Sequence, residues 1–284
     1  MKLHNSNAEI FVPDGVTTEN ALSRSTHMGF GAHQDDIEIL GFHGILECMN
    51  TPGNWFTAVT CTDGAGSPRT GRYTAYSNEQ MQEVRWQEQR NAAMIGRFSA
   101  AVQLKHPSSE IRAPKNTSVL DDFRNILSQA NPTVIYTHNL ADKHDTHLGV
   151  VLKLITALRE LPHEKRPKKV YGVEIWRGLD WMPDDAKIIL DVSGADHTAA
   201  ALLGAYDSQI AGGKRYDLAT MGRWRANTTY FDGYSVDKVQ LTSFAMDLSP
   251  LIMKSTLDIV DYAAEYINKF RNDVIDRLHK QIVQ

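Results

Sequence analysis

Cysteine is almost absent from this sequence, with only Cys48 and Cys61 among 284 residues. Two cysteines are too few for a disulfide scaffold or for a zinc site built on thiolates. A metal centre in this protein would therefore have to use histidine and carboxylate ligands, both of which zinc accepts.

Long apolar runs and blocks of basic residues are also missing. No stretch approaches the roughly 20 apolar residues that a membrane span needs, and the start MKLHNSNAEIFVPDG lacks an apolar signal segment. The net charge of −4 argues against nucleic acid or an anionic membrane as the main partner. We therefore expect a cytoplasmic protein that binds a small molecule, with a homo-oligomer left open.

Short apolar runs alternate with helical patterns along most of the chain. This alternation is typical of a parallel sheet with crossover helices, and therefore predicts an α/β fold. The predicted strands cover residues 27–33, 55–61, 100–104, 132–138, 169–177 and 186–192, and the predicted helices cover 36–48, 77–96, 118–130 and 147–161.

The two ends of the chain differ from this middle part. The first 26 residues are polar and rich in turn formers, and the residues after 192 are mostly helical in pattern. We predict an N-terminal segment at 1–26, a main domain at 27–212, and a largely helical C-terminal extension at 213–284 packed on the same domain.

A first polar cluster follows the first predicted strand. His33, Gln34, Asp35 and Asp36 stand at a strand-to-helix junction, with Glu38 one turn later. Ligands bind at such carboxyl ends of parallel strands, and His with Asp could hold a zinc ion there. The alternative is that Asp35 or Asp36 only caps the helix.

A second polar cluster, THNLADKHDTH at 137–147, directly follows the predicted strand at 132–138. It holds His138, Asp142, His144, Asp145 and His147, a density of histidine that a solvated turn does not require. His144 and His147, three apart, can share one face of a helix start, so that one binds metal while the other faces substrate. A polar loop with helix caps is the alternative, and two such clusters at two strand ends weaken it.

The two clusters resemble the hallmarks of the PIG-L/LmbE-like N-acetylglucosaminyl deacetylases. The motif Ala-His-Pro-Asp-Asp-x-Glu of that family reads Ala32 to Glu38 here, and His-Pro-Asp-His aligns with residues 144–147. The resemblance spans about residues 27–160. It also includes Thr62-Asp63-Gly64 with Gly66, and Arg85, Glu88, Ala92, Ala93 and Gly96 on the following helix.

The resemblance implies a Rossmann-like, mostly parallel sheet with helices on both faces, and hydrolysis of an N-acyl group on an amino sugar or related amide. The resemblance implies that His33, Asp36 and His147 of this chain hold one Zn²⁺, or another divalent metal such as Fe²⁺. Asp35 would take the proton of the metal-bound water that attacks the amide carbonyl, and His144 would stabilise the oxyanion.

Two residues depart from the family motifs. Gln34 replaces proline, which frees a backbone N–H and is expected to loosen the loop without removing a ligand. Thr146 replaces the aspartate that pairs with the histidine equivalent to His144. Asp142 and Asp145 are the candidates for pairing with His144 instead, and the sequence leaves the choice between them open.

Charged residues in the loop and helix after the second strand are candidates for substrate binding. Asp63 fits both a sugar contact and a simple turn. Arg69 and Arg72 could clasp hydroxyl or phosphate groups or remain solvated. Arg85 and Glu88 could form a surface helix pair, although their place in the family pattern favours a position at the site.

Several aromatic residues and one segment leave further alternatives open. Trp176, Trp181, Trp224 and Tyr230 are expected in the core or an interface, with sugar stacking as the alternative. The segment 215–237 has no counterpart in the family pattern, and it could form either a lid or an oligomer contact.

Three other functions compete with a deacetylase. They are an amidase for a non-sugar conjugate, a non-catalytic sugar-binding protein on the same fold, and a dinucleotide-dependent oxidoreductase. The binding protein would not need Asp35 beside a complete ligand set. The oxidoreductase is disfavoured because carboxylates stand where a Gly-rich turn would have to accept a pyrophosphate.

Overall fold

The computed structural model describes residues 1–282, and these form one eight-stranded sheet flanked by helices. The strand order across the sheet is β1-β4-β3-β2-β5-β6-β8-β7. The strands are β1 (Glu9–Phe11), β2 (His27–Gly31), β3 (Phe56–Thr62), β4 (Ala100–His106), β5 (Val134–His138), β6 (Lys169–Val173), β7 (Ile188–Asp191) and β8 (Thr242–Asp247).

The centre of the sheet is parallel and its two edges are antiparallel. Strands β4, β3, β2, β5 and β6 run in one direction, with His27 paired to Phe56 on one side and to Val134 on the other. β1 pairs antiparallel with β4, and β8 pairs antiparallel with both β6 and β7. The predicted α/β class with a mostly parallel sheet is thus confirmed.

Twelve α-helices connect or extend these strands within residues 1–282. They are α1 (Thr18–Ser23), α2 (Asp36–Leu40), α3 (Phe42–Asn50), α4 (Asn78–Ile95), α5 (Ser108–Arg112), α6 (Ser118–Gln129), α7 (Asp145–Glu160), α8 (Asp196–Gly204), α9 (Asp207–Ile210), α10 (Tyr216–Phe231), α11 (Ser249–Met253) and α12 (Ile259–Gln281). The start of α4 shows why the sequence predicts it well, since Ser77 and Gln80 form a reciprocal capping box.

Two apolar cores lie on the two faces of the sheet, because successive strand residues point to opposite sides. Met28 and Phe30 of β2 belong to the first core, which includes side chains of α6 and α7. Phe56 and Ala58 of β3 belong to the second, which includes side chains of α3, α4 and α8. Helices therefore cover both faces, as expected.

The sheet extends into both terminal segments of the predicted domain division. β1 comes from the N-terminal segment, and β8 comes from the extension, which is otherwise largely helical. β1 has only three residues, and β8 is a short run whose mixed polarity does not alternate, so neither gave a strand signal. The boundaries at residues 27 and 213 remain predictions, but the sheet itself continues across both.

No helix within residues 1–282 combines the length and the apolar character needed to cross a membrane. The longest, α12, has 23 residues and ends at Gln281. Charged side chains such as Asp261, Lys269 and Arg277 recur along it.

Candidate metal centre

Two neighbouring parallel strands bring the two polar clusters together. β2 ends at Gly31 and β5 ends at His138, and these strands pair directly. The loop after β2 enters α2 at once, which requires a glycine at position 31. A Cβ there would lie 2.7 Å from Cγ1 of Ile37 and 3.1 Å from Cβ of Asp36. The small residue thus lets α2 and Asp36 approach the strand end.

Asp36 lies at the centre of the cluster that results. Its Oδ2 accepts a hydrogen bond from the backbone N–H of His33 at 2.6 Å. The same oxygen lies 3.2 Å from Nδ1 of His33 and 3.4 Å from Nε2 of His147. These two ring nitrogens are themselves 3.2 Å apart. The three predicted metal ligands therefore point to one place.

The donor atoms in this cluster suit a divalent metal. Two sets of residues, His33 with His144 and His147, and Asp36 with His138 and His147, each place their possible ligand atoms within 4.8 Å of one another. Imidazole nitrogen and carboxylate oxygen are the ligands that zinc and similar ions accept. The residues present thus fit a bound metal ion without rearrangement of the backbone.

His138 also belongs to this cluster, although its position in the sequence predicted no specific role. Its ring stacks on that of His147 with centroids 3.8 Å apart, and its Nε2 lies 3.3 Å from Oδ2 of Asp36. The same Nε2 accepts the backbone N–H of Ala32 at 2.9 Å, so its single lone pair is already used. We therefore interpret His138 as a residue that positions His147 and the loop. Its place in the second polar cluster was the signal that could have identified it.

Asp142 orients His147. Its Oδ2 lies 3.0 Å from Nδ1 of His147, while its Oδ1 accepts the backbone N–H of His144 at 3.0 Å. A carboxylate on Nδ1 fixes the tautomer with the proton on Nδ1, so that Nε2 keeps a free lone pair for a metal. Burial lowers the pKa of His147 to about 4, which keeps the ring neutral and able to bind metal.

The two adjacent aspartates have opposite pKa shifts. Burial raises the pKa of Asp35, and the charge of Asp36 raises it further, so that it lies well above the usual range. Burial also acts on Asp36, but the charges of His147, His138 and His33 outweigh it and lower its pKa. Asp36 therefore suits a ligand and Asp35 suits a proton acceptor.

Asp35 is held in an unusual backbone conformation. Its φ of 97° lies in the left-handed region, and its side chain makes no capping hydrogen bond to α2. Non-glycine residues adopt this region at a cost of order 1–3 kcal/mol, and such residues concentrate at functional sites. The carboxylate is thus left free of the capping role that the alternative interpretation assigned to it.

His144 has no carboxylate partner among residues 1–282. Its Nδ1 is buried and makes no hydrogen bond, Asp142 binds His147 instead, and Asp145 is exposed. Thr146 is buried, and its hydroxyl is also without a partner. Burial lowers the pKa of His144, and the nearby His33 lowers it further. The structure therefore favours a neutral His144, and it assigns neither Asp145 nor Thr146 a contact with that ring.

A cavity of about 340 Å³ opens beside the cluster. Asp35, His144 and both histidine ligands line it, together with Trp176, whose ring lies parallel to that of His144 at 6.4 Å. Gln209, Lys214 and Tyr216 also line it. Lys214 and Tyr216 lie in or beside the segment that has no counterpart in the family pattern, so no motif pointed to them.

The three predicted substrate contacts after β3 make contacts with protein groups outside the cavity. Asp63 accepts the backbone N–H of Ala65, which is simple turn chemistry. Arg69 donates to the carbonyl oxygens of Ala65 and Tyr76, at 2.8 Å each. Arg72 pairs with Asp207. None of the three residues lines the cavity.

Arg85 and Glu88 are buried on α4 and also bind protein groups. Arg85 donates to the carbonyl oxygen of Gly64 at 2.7 Å and to the side chain of Ser67. Glu88 accepts both the backbone N–H and the hydroxyl of Ser208, at 2.7 and 2.6 Å. They are not a surface pair, and neither of them lines the cavity. Instead, they hold in place the segments that carry Ser67 and Gln209, which do line it.

Gln34 anchors its loop, contrary to the prediction that it would loosen it. The side chain is fully buried, and its Nε2 donates to the carbonyl oxygen of Thr62 at 3.0 Å. Gln209 donates to the carbonyl oxygen of Gln34 at 3.3 Å. The side chain thus replaces the rigidity of a proline by a hydrogen bond to the end of β3.

The sequence profile of the family described as PIG-L: GlcNAc-PI de-N-acetylase matches residues 28–158. This range contains both polar clusters and ends within α7. The chain therefore carries a PIG-L family domain. No curated protein matches the sequence.

Solved structures of low sequence identity share the fold. N,N'-diacetylchitobiose deacetylase from Pyrococcus horikoshii is 14% identical with a TM-score of 0.63, covering 84% of this chain and 89% of that one. The A40926 pseudoaglycone deacetylase Dbv21 is 13% identical with a TM-score of 0.58, covering 79% and 97%. GalB, the 4-carboxy-2-hydroxymuconate hydratase from Pseudomonas putida KT2440, is 17% identical with a TM-score of 0.61, covering 79% and 95%. One fold thus occurs in proteins named for two reactions, so the site residues have to carry the functional argument.

Proposed function

We propose that this protein is a metal-dependent hydrolase that removes an N-acetyl group from an amino sugar or a related small amide. The observation that carries the proposal is the convergence of His33, Asp36 and His147 on one point, with Asp35 beside it in an open cavity. The PIG-L family domain supports the same chemistry. Zn²⁺ is the proposed metal, and Fe²⁺ is the alternative that these ligands also accept.

Three residues would hold the metal, and a fourth would move the proton. When bound, a divalent metal polarises an acyl oxygen and lowers the pKa of water towards about 7. Asp35 lies on the cavity wall, and its raised pKa suits a group that accepts a proton during the reaction. It would later deliver that proton to the amine that leaves, so that the carboxylate is regenerated.

His144 would bind the oxyanion as a neutral donor. It lines the cavity, its pKa is lowered, and no carboxylate of residues 1–282 contacts its ring. A neutral imidazole still offers one N–H, and a preorganised donor of this kind stabilises the negative charge that develops on the amide oxygen. The contribution of His144 is therefore expected to come from a hydrogen bond, with no full positive charge on the ring.

Of the competing functions, the amidase would need Asp35, whereas the sugar-binding protein would not. A sugar-binding protein has no use for a buried carboxylate of raised pKa in a strained conformation beside a ligand set. An amidase for a non-sugar conjugate would use the same residues, and the wall of the cavity separates it from a sugar deacetylase. We favour the amino sugar because Trp176 offers an aromatic face at that wall.

Acetate release by the Asp35→Asn variant tests this proposal. N-acetylglucosamine and its glycosides would be incubated with metal-loaded protein, and the metal content of each variant would be measured in parallel. Asn keeps the shape of Asp35 but cannot accept the proton, so kcat should fall roughly 10²–10⁴-fold. The matched control is Asp196→Asn, which changes an exposed carboxylate at the start of α8.

The two readouts separate the possible results. About one metal ion per chain in both variants, with activity lost only in Asp35→Asn, supports the deacetylase. Metal binding without acetate release from any N-acetylated sugar contradicts the substrate class and favours the non-sugar amidase. Full activity of Asp35→Asn contradicts the role of Asp35.

A further inference from the structure

The four residues from His33 to Asp36 form a tight turn between β2 and α2. The backbone N–H of Asp36 donates to the carbonyl oxygen of His33 at 3.3 Å and closes the turn. Asp35, its third residue, has a φ of 97° and a ψ of −25°, whereas the φ of Gln34 is not positive. These torsions match a type II turn, whose third position normally requires glycine or asparagine.

A type I turn over the same residues would remove the positive φ of Asp35. The two turn types keep the same ends and differ in the orientation of the central peptide, which here joins Gln34 to Asp35. In a type I turn the third residue has a φ of about −90°, which suits most residues, including aspartate. The type II turn is therefore maintained only if neighbouring groups hold the central peptide.

Two glutamine side chains supply these contacts. Nε2 of Gln209 donates to the carbonyl oxygen of Gln34 at 3.3 Å, and this oxygen belongs to the central peptide itself. Nε2 of Gln34 donates to the carbonyl oxygen of Thr62 at 3.0 Å, which ties the second residue of the turn to the end of β3. The side chain of Asp35 does not hold the turn, since it makes no capping hydrogen bond to α2.

Gln209 is itself fixed by α4. Its side chain is largely buried, and its Oε1 accepts a hydrogen bond from Nη2 of Arg85 at 3.3 Å. The preceding residue, Ser208, donates to the carboxylate of Glu88 through both its backbone and its hydroxyl. Because Arg85 can only donate, it determines that the NH₂ group of Gln209, and not its oxygen, faces the carbonyl of Gln34.

We propose that Gln209 positions Asp35 for proton transfer by holding the central peptide of this turn in its type II orientation. This inference rests on the proposed function, in which Asp35 accepts a proton. His33 and Asp36 lie at the two ends of the turn, so a flip of the central peptide redirects Asp35 and leaves both metal ligands in place. Gln209 lies outside residues 28–158, so a segment beyond the matched family range sets the geometry of the base.

The crystal structure of Gln209→Met tests the inference without any need for activity. Methionine keeps the length of the side chain but cannot donate to the carbonyl oxygen of Gln34. The central peptide should flip, and the φ of Asp35 should move from 97° to about −90°. Gln209→Glu gives a second variant with the same expectation, since it keeps an acceptor for Arg85 but loses the donor.

The matched control is Gln87→Met, because Gln87 is exposed on α4 and contacts neither the turn nor α9. This variant should keep the positive φ of Asp35. A positive φ of Asp35 retained in both variants of Gln209 would overturn the inference.

Kinetics and metal binding of the same variants show what the turn contributes to the reaction. The kcat for acetate release from the methyl glycoside of N-acetylglucosamine should fall roughly 10–100-fold, because small displacements of a reacting group have effects of this size. Each variant should still bind about one metal ion per chain with unchanged affinity. A higher KM with an unchanged kcat would make Gln209 a substrate contact and overturn the inference. A loss of metal affinity as large as the loss of kcat would also overturn it.

Failure of this inference and failure of the proposed function give different results. No acetate release by the unchanged protein would contradict the deacetylase. The φ of Asp35 in Gln209→Met would still decide whether Gln209 holds the turn.

Discussion

Two buried charged clusters in this protein are built from similar residues but differ in where their polar atoms find partners. In the cluster around Asp36, the carboxylate and the ring nitrogens of His33 and His147 converge on one point beside a cavity. In the cluster on α4, Arg85 and Glu88 each bind groups of the protein itself. The first cluster is therefore organised for a ligand, and the second for the fold.

This difference separates functional from structural residues better than the motif does. The family pattern contains His33 and Arg85 alike, yet only His33 lines the cavity of the metal cluster. Arg85 is buried because it ties the loop at Gly64 and the segment at Ser208 to α4. A charged residue in a family motif thus indicates a site when it lines the cavity, and a structural role when its side chain binds only groups of the protein.

Loss of Arg85 should give the largest effect on stability. Arg85→Met leaves the carbonyl oxygen of Gly64 and the hydroxyls of Ser67 and Ser208 without their charged donor, and a lost hydrogen bond to a charged group typically costs about 1.5–3 kcal/mol. Chemical denaturation would measure the free energy of unfolding. Metal titration at low temperature should still give about one ion per chain, and a complete loss of metal from folded protein would place Arg85 in the metal centre.

Loss of Asp142 should affect the metal instead of the fold. Asp142→Asn removes the carboxylate that orients His147, and outer partners of this kind typically contribute 10–100-fold in metal affinity. Competition with a chelator of known affinity would measure the change. Asp145→Asn provides the contrast, because Asp145 is exposed, and an equal loss of affinity in both variants would contradict the assignment of Asp142.

A third cluster sharpens the comparison and should give the smallest effect. His106 lies between Asp122 and Glu110, with its ring nitrogens 2.8 and 2.9 Å from their carboxylates. This cluster also combines a histidine with acids, but both ring nitrogens have protein partners. Burial lowers the pKa of His106, but its hydrogen bonds to Asp122 and Glu110 outweigh burial and raise the pKa above 6.5.

The charged ring should therefore stabilise the fold fully below pH about 6.5, and this contribution should be lost as the pH rises through the higher pKa of the folded state. Denaturation at a series of pH values would compare the protein with His106→Gln. The difference between the two should shrink as the pH rises, and a difference that grows with pH would contradict the sign.

The sequence predicted the central sheet and the metal cluster for the same physical reason. Apolar runs identify β2 and β5, and polar groups at the carboxyl ends of adjacent parallel strands must meet. Asp142 and His138 were visible in the second polar cluster. Only the structure shows that Asp142 contacts His147 and that His138 accepts the backbone N–H of Ala32. The partner of a side chain depends on rotamers that spacing does not determine.

The part of the cavity wall that lies outside the two polar clusters could not be predicted in this way. Lys214 and Tyr216 reach it from a region that follows the matched domain by more than 50 residues, and Gln209 reaches it through the contacts of Glu88 with Ser208. β8 was missed because its short run shows no period-two pattern. Contacts between distant parts of the chain, and not local periodicity, decide these features.

Metal stoichiometry of the protein and of Asp36→Asn tests the central claim most directly. Asp36 has the oxygen on which His33, His138 and His147 converge, so the account predicts about one Zn²⁺ per chain in the unchanged protein and none in folded Asp36→Asn. No metal in the unchanged protein under metal-replete conditions, or an unaltered stoichiometry and affinity in Asp36→Asn, would contradict it.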